Sequence, residues 1–258
     1  MDLGIDGRVA VVAASSKGLG KAAATALARE GAKVTICART AVDLDATAME
    51  IREATGAEVL AVPADLNTAE GIDAVLAASR ERFGEADILV QNCGGPRPGR
   101  FPDLTDADWH AAFEIVTMNF VRFVRGVTPS MREKRWGRIV CIQSSSVKQP
   151  VANIDLSNGT RPGIAGLVKA IMPDLAKDGI TINLVLPGTL LTDRIRSAFG
   201  GGADDATIQQ RVGAGIPMGR LGAPEEAGDL IAFLASERAS YITGAVYQVD
   251  GGQIASNV

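Results

Sequence analysis

The residues of this chain whose types could do chemistry gather in two short stretches. In the first, a strand-like run over residues 137–143 leads into Ser144, Ser145 and Ser146, with Lys148 just beyond. In the second, Ser157 and Arg161 stand four residues apart, a spacing that would put them one turn apart on one helix face. A serine hydroxyl titrates far above neutral pH, so Ser157 is a poor general acid. A guanidinium offers five donors and keeps its protons; Arg161 can bind oxygen atoms but cannot shuttle a proton. Lys148 is a group that a dry pocket would tune towards neutrality, unless it is only a solvated loop lysine. Pro162 directly follows Arg161. Proline disfavours helical φ/ψ in the residue before it and clashes one turn back, for ~3 kcal/mol. The pairing of positions 157 and 161 is therefore expected to be disturbed, with regular helix only over 163–177.

The elements that must position these groups alternate along the chain. Residues 9–13 form a short continuous apolar run, as expected of a strand covered on both faces, and 18–30 has helical spacing, stopped by Gly31. Further strands are expected at 33–38, 58–62, 87–91, 138–143, 181–186 and 245–250. Further helices are expected at 42–55, 69–83, 106–135, 163–177 and 224–236. Such alternation predicts an α/β fold, a single Rossmann-type doubly wound parallel sheet of about seven strands with helices on both faces. No linker interrupts it, so residues 1–258 read as one dinucleotide-binding domain. Residues 190–216, with Gly200, Gly201, Gly202 and the adjacent Asp204 and Asp205, read as a mobile substrate-lid insert within it.

Composition narrows the function classes. The net charge is −4 and no basic run stands out, which argues against a nucleic-acid partner. Cys37, Cys93 and Cys141 lack CxxC spacing and a histidine cluster, so they read as free thiols of a reducing, cytoplasmic protein with no metal. The first seven residues have no basic region and no apolar core, so no signal peptide is expected. No apolar stretch reaches the ~18 residues of a membrane span.

Cofactor signals begin after the first strand, at Ser15, Ser16, Lys17, Gly18, Leu19 and Gly20. Gly18 and Gly20 would let a pyrophosphate approach a helix N-terminus, where free N–H groups favour anions; a tight strand–helix turn explains them equally well. Arg39 follows the second strand. A carboxylate near there would suit the ribose 2′-OH of NAD, whereas a cation suits a 2′-phosphate.

These motifs resemble the short-chain dehydrogenase/reductase family, in its branch of 3-oxoacyl-acyl-carrier-protein reductases, and the resemblance spans nearly the whole chain. The family's first glycine turn is matched at Gly18 and Gly20, with Ala13 and Ala14 in place of its leading residues, so the Ala14 methyl is expected to narrow the turn. Lys17 sits where NADP-preferring relatives carry a basic residue. With Arg39 it implies NADP(H) as cofactor. Asp65 and Leu66 match the segment that meets the adenine. Asn92 and Gly94 match the loop beside the cofactor. Pro187, Gly188 and Thr192 match the segment that closes over the nicotinamide. Asn119 matches the family's helix-bending, water-holding asparagine. Ser144 matches the serine that hydrogen-bonds the substrate carbonyl. The family's catalytic Tyr and Lys fall at Ser157 and Arg161, which makes the tetrad degenerate; Arg161 is still expected to reach the cofactor ribose hydroxyls that the family's Lys binds.

The resemblance therefore implies an NAD(P)-dependent oxidoreductase that reduces a carbonyl, 3-oxoacyl-like or a small ketone, with a non-standard proton donor. The expected partners are a small-molecule or acyl-thioester substrate and three further copies in a homotetramer. The alternatives are a nucleotide-binding sensor without turnover and a scaffold subunit in a mixed oligomer. No other residue offers an obvious acid. Tyr241 and Tyr247 lie near the C-terminus, and His110 falls on the polar side of a long helix. Restoring Tyr and Lys at 157 and 161 is expected to fail, because Pro162 and Gly163 would misplace them.

Overall fold

The computed structural model describes residues 1–199 and 201–256; Gly200 lies outside them. Seven strands form one parallel sheet in the order β3-β2-β1-β4-β5-β6-β7. They are β1 (Val9–Val12), β2 (Lys33–Ala38), β3 (Val59–Pro63), β4 (Ile88–Gln91), β5 (Gly137–Ile142), β6 (Ile180–Pro187) and β7 (Val246–Val249). The four residues of β1 and of β4 and all six of β5 are buried, as continuous apolar runs in a sheet covered on both faces must be.

Each face has its own apolar layer. On one side α1 (Gly18–Arg29), α2 (Ala41–Thr55) and α9 (Pro224–Leu234) pack through Leu27, Leu44, Ile51 and Ile231. On the other, α3 (Ala69–Phe83), α5 (Asn119–Lys134) and α6 (Asp155–Lys177) pack through Ile72, Phe123, Ile164 and Val168. The chain winds outwards from β1 to β3, then crosses back to β4 on the other side of β1. The strand order reverses there, and a crevice opens beyond the carboxyl ends of β1 and β4.

Two departures from the sequence reading matter for the site. The stretch 106–134 is not one regular helix. α4 (Asp106–Phe113) runs into a π-helical turn at Glu114–Met118 before α5 begins at Asn119. And α6 starts at Asp155, eight residues before the expected 163. Its first turn is fastened from outside. The Asp155 carboxylate accepts from the Phe101 amide at 2.8 Å, and Asn158 clamps the Val151 backbone through Oδ1 and Nδ2 at 3.0 and 2.8 Å. The helix therefore exists before Pro162 arrives. Pro162 is exposed, so water can meet the carbonyl that its missing N–H leaves free.

The 190–216 insert carries α7 (Asp193–Phe199) and α8 (Asp205–Gly213), seated on a small cluster of Ile208, Ile216 and Leu221. Its paired aspartates have structural roles. Asp204 caps α8 by accepting from the Thr207 amide at 2.8 Å, and Asp205 holds Arg196 at 2.8 Å. Among the described residues no helix is long and apolar enough to cross a membrane.

Candidate active site

Two contiguous cavities, of about 310 and 380 Å³, occupy the crevice and share Ala14, Lys17, Cys93, Gly94 and Gly95. The turn after β1 shapes their junction. Ala14 adopts a left-handed φ of 49° and accepts from Asn92 Nδ2 at 3.3 Å. A Cβ added at Gly20 would run into the Ala14 carbonyl and lie 2.8 Å from Ser15 Cα, so only glycine fits. Lys17 precedes α1 without capping it through its side chain, which leaves the first N–H groups of α1 open to an anion. Ser15 does not serve the cleft. Its hydroxyl donates to the Val12 carbonyl at 2.7 Å and accepts from the Cys37 amide at 2.9 Å, which pins the turn to β2.

The smaller cavity is lined by Ser16, Arg39, Asp65 and Leu66. Arg39 is exposed and has no ion-pair partner among the described residues. Lys17 is held by Asp43 at 2.9 Å, a hydrogen bond and charge that raise its pKa further. The two cations thus face one rim, one free and one latched. The residues present fit an NADP(H) adenosine 2′-phosphate there, and a pyrophosphate at the glycine turn.

The larger cavity is lined by Leu19, Ser144, Ser157, Arg161, Gly188 and Thr192, with Gly18, Asn92 and Pro187 beside them. A side chain at Gly188 would meet Asp250 Cα at 2.6 Å. Ser144 accepts from the Ser146 amide at 3.2 Å, which starts a short 3₁₀ turn over Ser145–Val147 and leaves its own O–H to donate. Lys148 closes that turn through its amide, and its side chain lines neither cavity, so the structure does not bring Lys148 to the chemistry. His110 and Tyr241 are exposed and Tyr247 belongs to β7, which leaves the cleft without a phenol or an imidazole.

Contrary to the expected disturbance, Ser157 and Arg161 do share a helix face. They are 8% and 5% exposed, and Arg161 Nε donates to Ser157 Oγ at 3.4 Å. Behind them lies a directional chain of donors. Arg161 Nη1 donates to Gln143 Oε1 at 3.0 Å, and Gln143 Nε2 donates to Gln91 Oε1 at 3.3 Å. Gln91 Nε2 donates to Asn119 Oδ1 at 2.7 Å, and Asn119 Nδ2 donates to the Leu66 carbonyl at 2.9 Å. The side chains of all four residues are buried. Carboxamides and a guanidinium hold one another in place but pass no proton, so this chain positions Arg161 and does not relay. The π-helical turn before α5 delivers Asn119 to its place in it.

Gln91, Gln143 and Arg194 carry no expectation from the sequence, and Cys93 carries one only as a free thiol. The signal for the glutamines was available: each is polar at or just past the end of an apolar central strand. Cys93 Sγ lies 3.9 Å from Arg161 Nη2, and burial pushes its thiol pKa up while Arg161 opposes. Arg194, from α7, reaches across the cleft to Gly95, where an added Cβ would lie 3.0 Å from Nη2.

Known proteins share this arrangement. The family described as Enoyl-(Acyl carrier protein) reductase matches residues 13–253. The 3-oxoacyl-[acyl-carrier-protein] reductase of Escherichia coli is 35% identical over 254 residues, covering 97% of this chain and 98% of that protein. The monensin polyketide synthase putative ketoacyl reductase of Streptomyces virginiae is 34% identical over 252 residues, covering 95% of this chain and 96% of that one. The structure of L-sorbose reductase from Gluconobacter frateurii complexed with NADPH and L-sorbose superposes with a TM-score of 0.93 at 37% identity, covering 99% of this chain and 100% of that chain. With the switch-point cleft, the glycine turn and these matches over nearly its full length, the chain belongs to the short-chain dehydrogenase/reductase family and is an oxidoreductase of the NAD(P)-dependent kind.

Proposed function

We propose that this protein reduces a carbonyl compound, 3-oxoacyl-like or a small ketone, with NADPH and without a phenolic proton donor. The observation that carries the reading is the larger cavity, where Ser144 and a buried, fixed Arg161 face the end of the glycine turn. NADPH, when bound, supplies the hydride to the carbonyl carbon. Ser144 donates its O–H to the carbonyl oxygen. Arg161 places a fixed positive charge beside it, which favours the negative charge that grows on that oxygen. The proton comes from water, admitted where Ser157 is smaller than a phenol. Arg39 and Lys17 favour the 2′-phosphate of NADP(H), a preference in keeping with relatives crystallised with NADPH.

The working assembly under this reading is a cytoplasmic homotetramer. The faces of α5 and α6 that carry Val121, Leu167 and Ile171 form an apolar groove suited to a second copy. A monomeric mass by light scattering at micromolar concentration would remove that part. The reaction is tested by calorimetric titration with NADPH and NADH, followed by turnover of short 3-oxoacyl thioesters, diketones and quinones. Tighter NADPH binding and carbonyl-dependent oxidation are expected. Equal or tighter NADH binding would overturn the cofactor preference, and NADPH binding without any oxidation would favour the sensor reading.

A further inference from the structure

Gly95 is a glycine that its backbone does not call for, since its φ lies outside the left-handed region. What calls for it is room. An added Cβ would lie 3.1 Å from Arg194 Cζ and 3.0 Å from Nη2, and closer still to Nη1. The guanidinium of Arg194 therefore rests on the bare backbone of Gly95, across the cleft from the helix α7 that carries it. The insert leaves that guanidinium free. Thr192 packs on the glycine turn, where a Cβ added at Gly18 would lie 3.5 Å from Thr192 Cγ2. Ile195 packs on the cluster of Ile208, Ile216 and Leu221. Asp193 and Asp205 both hold Arg196, at 3.0 and 2.8 Å, and Asp204 caps α8. Arg194 itself has no carboxylate or hydrogen-bond partner among the described residues.

Gly95 belongs to the junction that the two cavities share, with Ala14, Lys17, Cys93 and Gly94. A dinucleotide with its adenosine end at the Arg39 rim and its nicotinamide end beside Ser144 carries its diphosphate through this junction. One wall there is the glycine turn and the open N–H groups of α1, which together present roughly half a positive charge. Most of the charge of a diphosphate is left unanswered. Lys17 is latched to Asp43 at 2.9 Å, Arg39 stands at the far rim, and Arg161 is spent on Ser157 and Gln143 deeper in the cleft. Arg194 is the cation that remains. Its charge is felt at the junction: burial pushes the Cys93 thiol pKa up, and Arg161 and then Arg194 oppose that push. We propose that Arg194 is a cofactor-binding residue, a strap from the insert that holds the diphosphate against the N-terminus of α1, with Gly95 as the seat that admits its guanidinium. The planar, forked donors of a guanidinium match phosphate oxygens. The assignment rests on the NADP(H) reading of the cleft and not on turnover.

The test is calorimetric titration of the full-length protein with NADPH, NADH and adenosine 2′-monophosphate. NADPH and NADH share the diphosphate, so Arg194→Gln should weaken both by about tenfold or more and leave the ratio of their affinities within about twofold of wild type. Adenosine 2′-monophosphate lacks the diphosphate, and its affinity should change by less than about twofold. Arg194→Lys keeps the charge without the fork and should recover part of the loss. Gly95→Ala displaces the guanidinium without removing it. It should weaken NADPH binding at least threefold on its own, and should add almost nothing to Arg194→Gln. NADPH affinity of Arg194→Gln within threefold of wild type overturns the proposal, and a raised KM for the carbonyl compound in that variant would then place Arg194 on the substrate. A changed ratio between NADPH and NADH also overturns it, because Arg194 would be reading the 2′-phosphate beside Arg39. Equal losses from Gly95→Ala with and without Arg194 would show that the methyl meets the cofactor itself, and would remove the seat. Every arm reads binding, so a protein that binds NADPH without oxidising it fails the reductase reading while still passing or failing this test. A wild type that binds neither dinucleotide overturns the strap together with the cofactor reading.

Discussion

Position 161 shows how one substitution changes the task of a site. A lysine there could exchange protons; a guanidinium keeps them, and its neighbours Gln143, Gln91 and Asn119 form a train of amides that fixes it in place. Arg39 has a simpler role. It is exposed and, among the described residues, without an ion-pair partner at the rim where a 2′-phosphate would lie, and charge-assisted contacts of this kind contribute ~1.5–3 kcal/mol each. Arg39→Asp should therefore reverse the preference between NADPH and NADH, read by calorimetric titration; an unchanged preference would leave Arg39 a solvated surface charge. Ala14 is a strained residue. Its φ of 49° costs a non-glycine residue about 1–2 kcal/mol, partly offset by the entropy that glycine loses on folding. Ala14→Gly is expected to raise stability by about 0.5–1 kcal/mol in denaturant titration without loss of cofactor binding. The methyl strains the turn but leaves it open, since Gly20 still approaches the Ala14 carbonyl.

At the scale of elements, α6 decides what the altered pair can do. Local rules about Pro162 argued for a late helix start, but tertiary fastening of Asp155 and Asn158 to residues 101 and 151 overrides them. That removes the geometric objection to restoring the family's pair. Ser157→Tyr with Arg161→Lys should set both groups one turn apart on the face that lines the cleft, and should raise turnover of neutral ketones such as methyl 3-oxobutanoate at least tenfold. No gain, with the variant folded by circular dichroism, would show that more than these two side chains separates this site from its relatives. The strands, the glycine turn and the Arg39 rim were legible in the sequence, because each is a local pattern of apolar runs, glycines or charge. The amide chain and the reach of Arg194 were not. They join residues far apart in sequence, and only the packing of β4, β5, α5 and α6 brings the amides together. Lys148 misled for the converse reason, since four residues from Ser144 in sequence did not place its side chain in the cleft.

Across the whole molecule, the segment that leaves the insert is tied to α9 by a surface clamp. Arg220 donates to both oxygens of Glu226 at 2.8 and 2.7 Å, and Glu226 also accepts from the Ala223 amide at 2.7 Å. The Arg220 hydrogen bond leads in drawing the Glu226 carboxyl from 4.5 down to about 2. Because the folded pKa is the lower one, the clamp stabilises the fold above the ordinary carboxylate range, and that contribution fades as pH falls from ~5 to ~2. Thermal melts of wild type and Glu226→Gln should differ at neutral pH and converge near pH ~2, with a difference under about 1 kcal/mol for so exposed a pair. A gap that widens on acidification would contradict this. Under the proposed mechanism a cleft without a phenol still transfers hydride from NADPH to a carbonyl. Its most direct test is to follow NADPH absorbance with the purified wild-type protein and a panel of carbonyl compounds, with the alcohol product quantified in parallel. Oxidation is expected only when a carbonyl compound is present, with one alcohol formed per NADPH consumed. Tight NADPH binding with no carbonyl-dependent oxidation across the panel would contradict it.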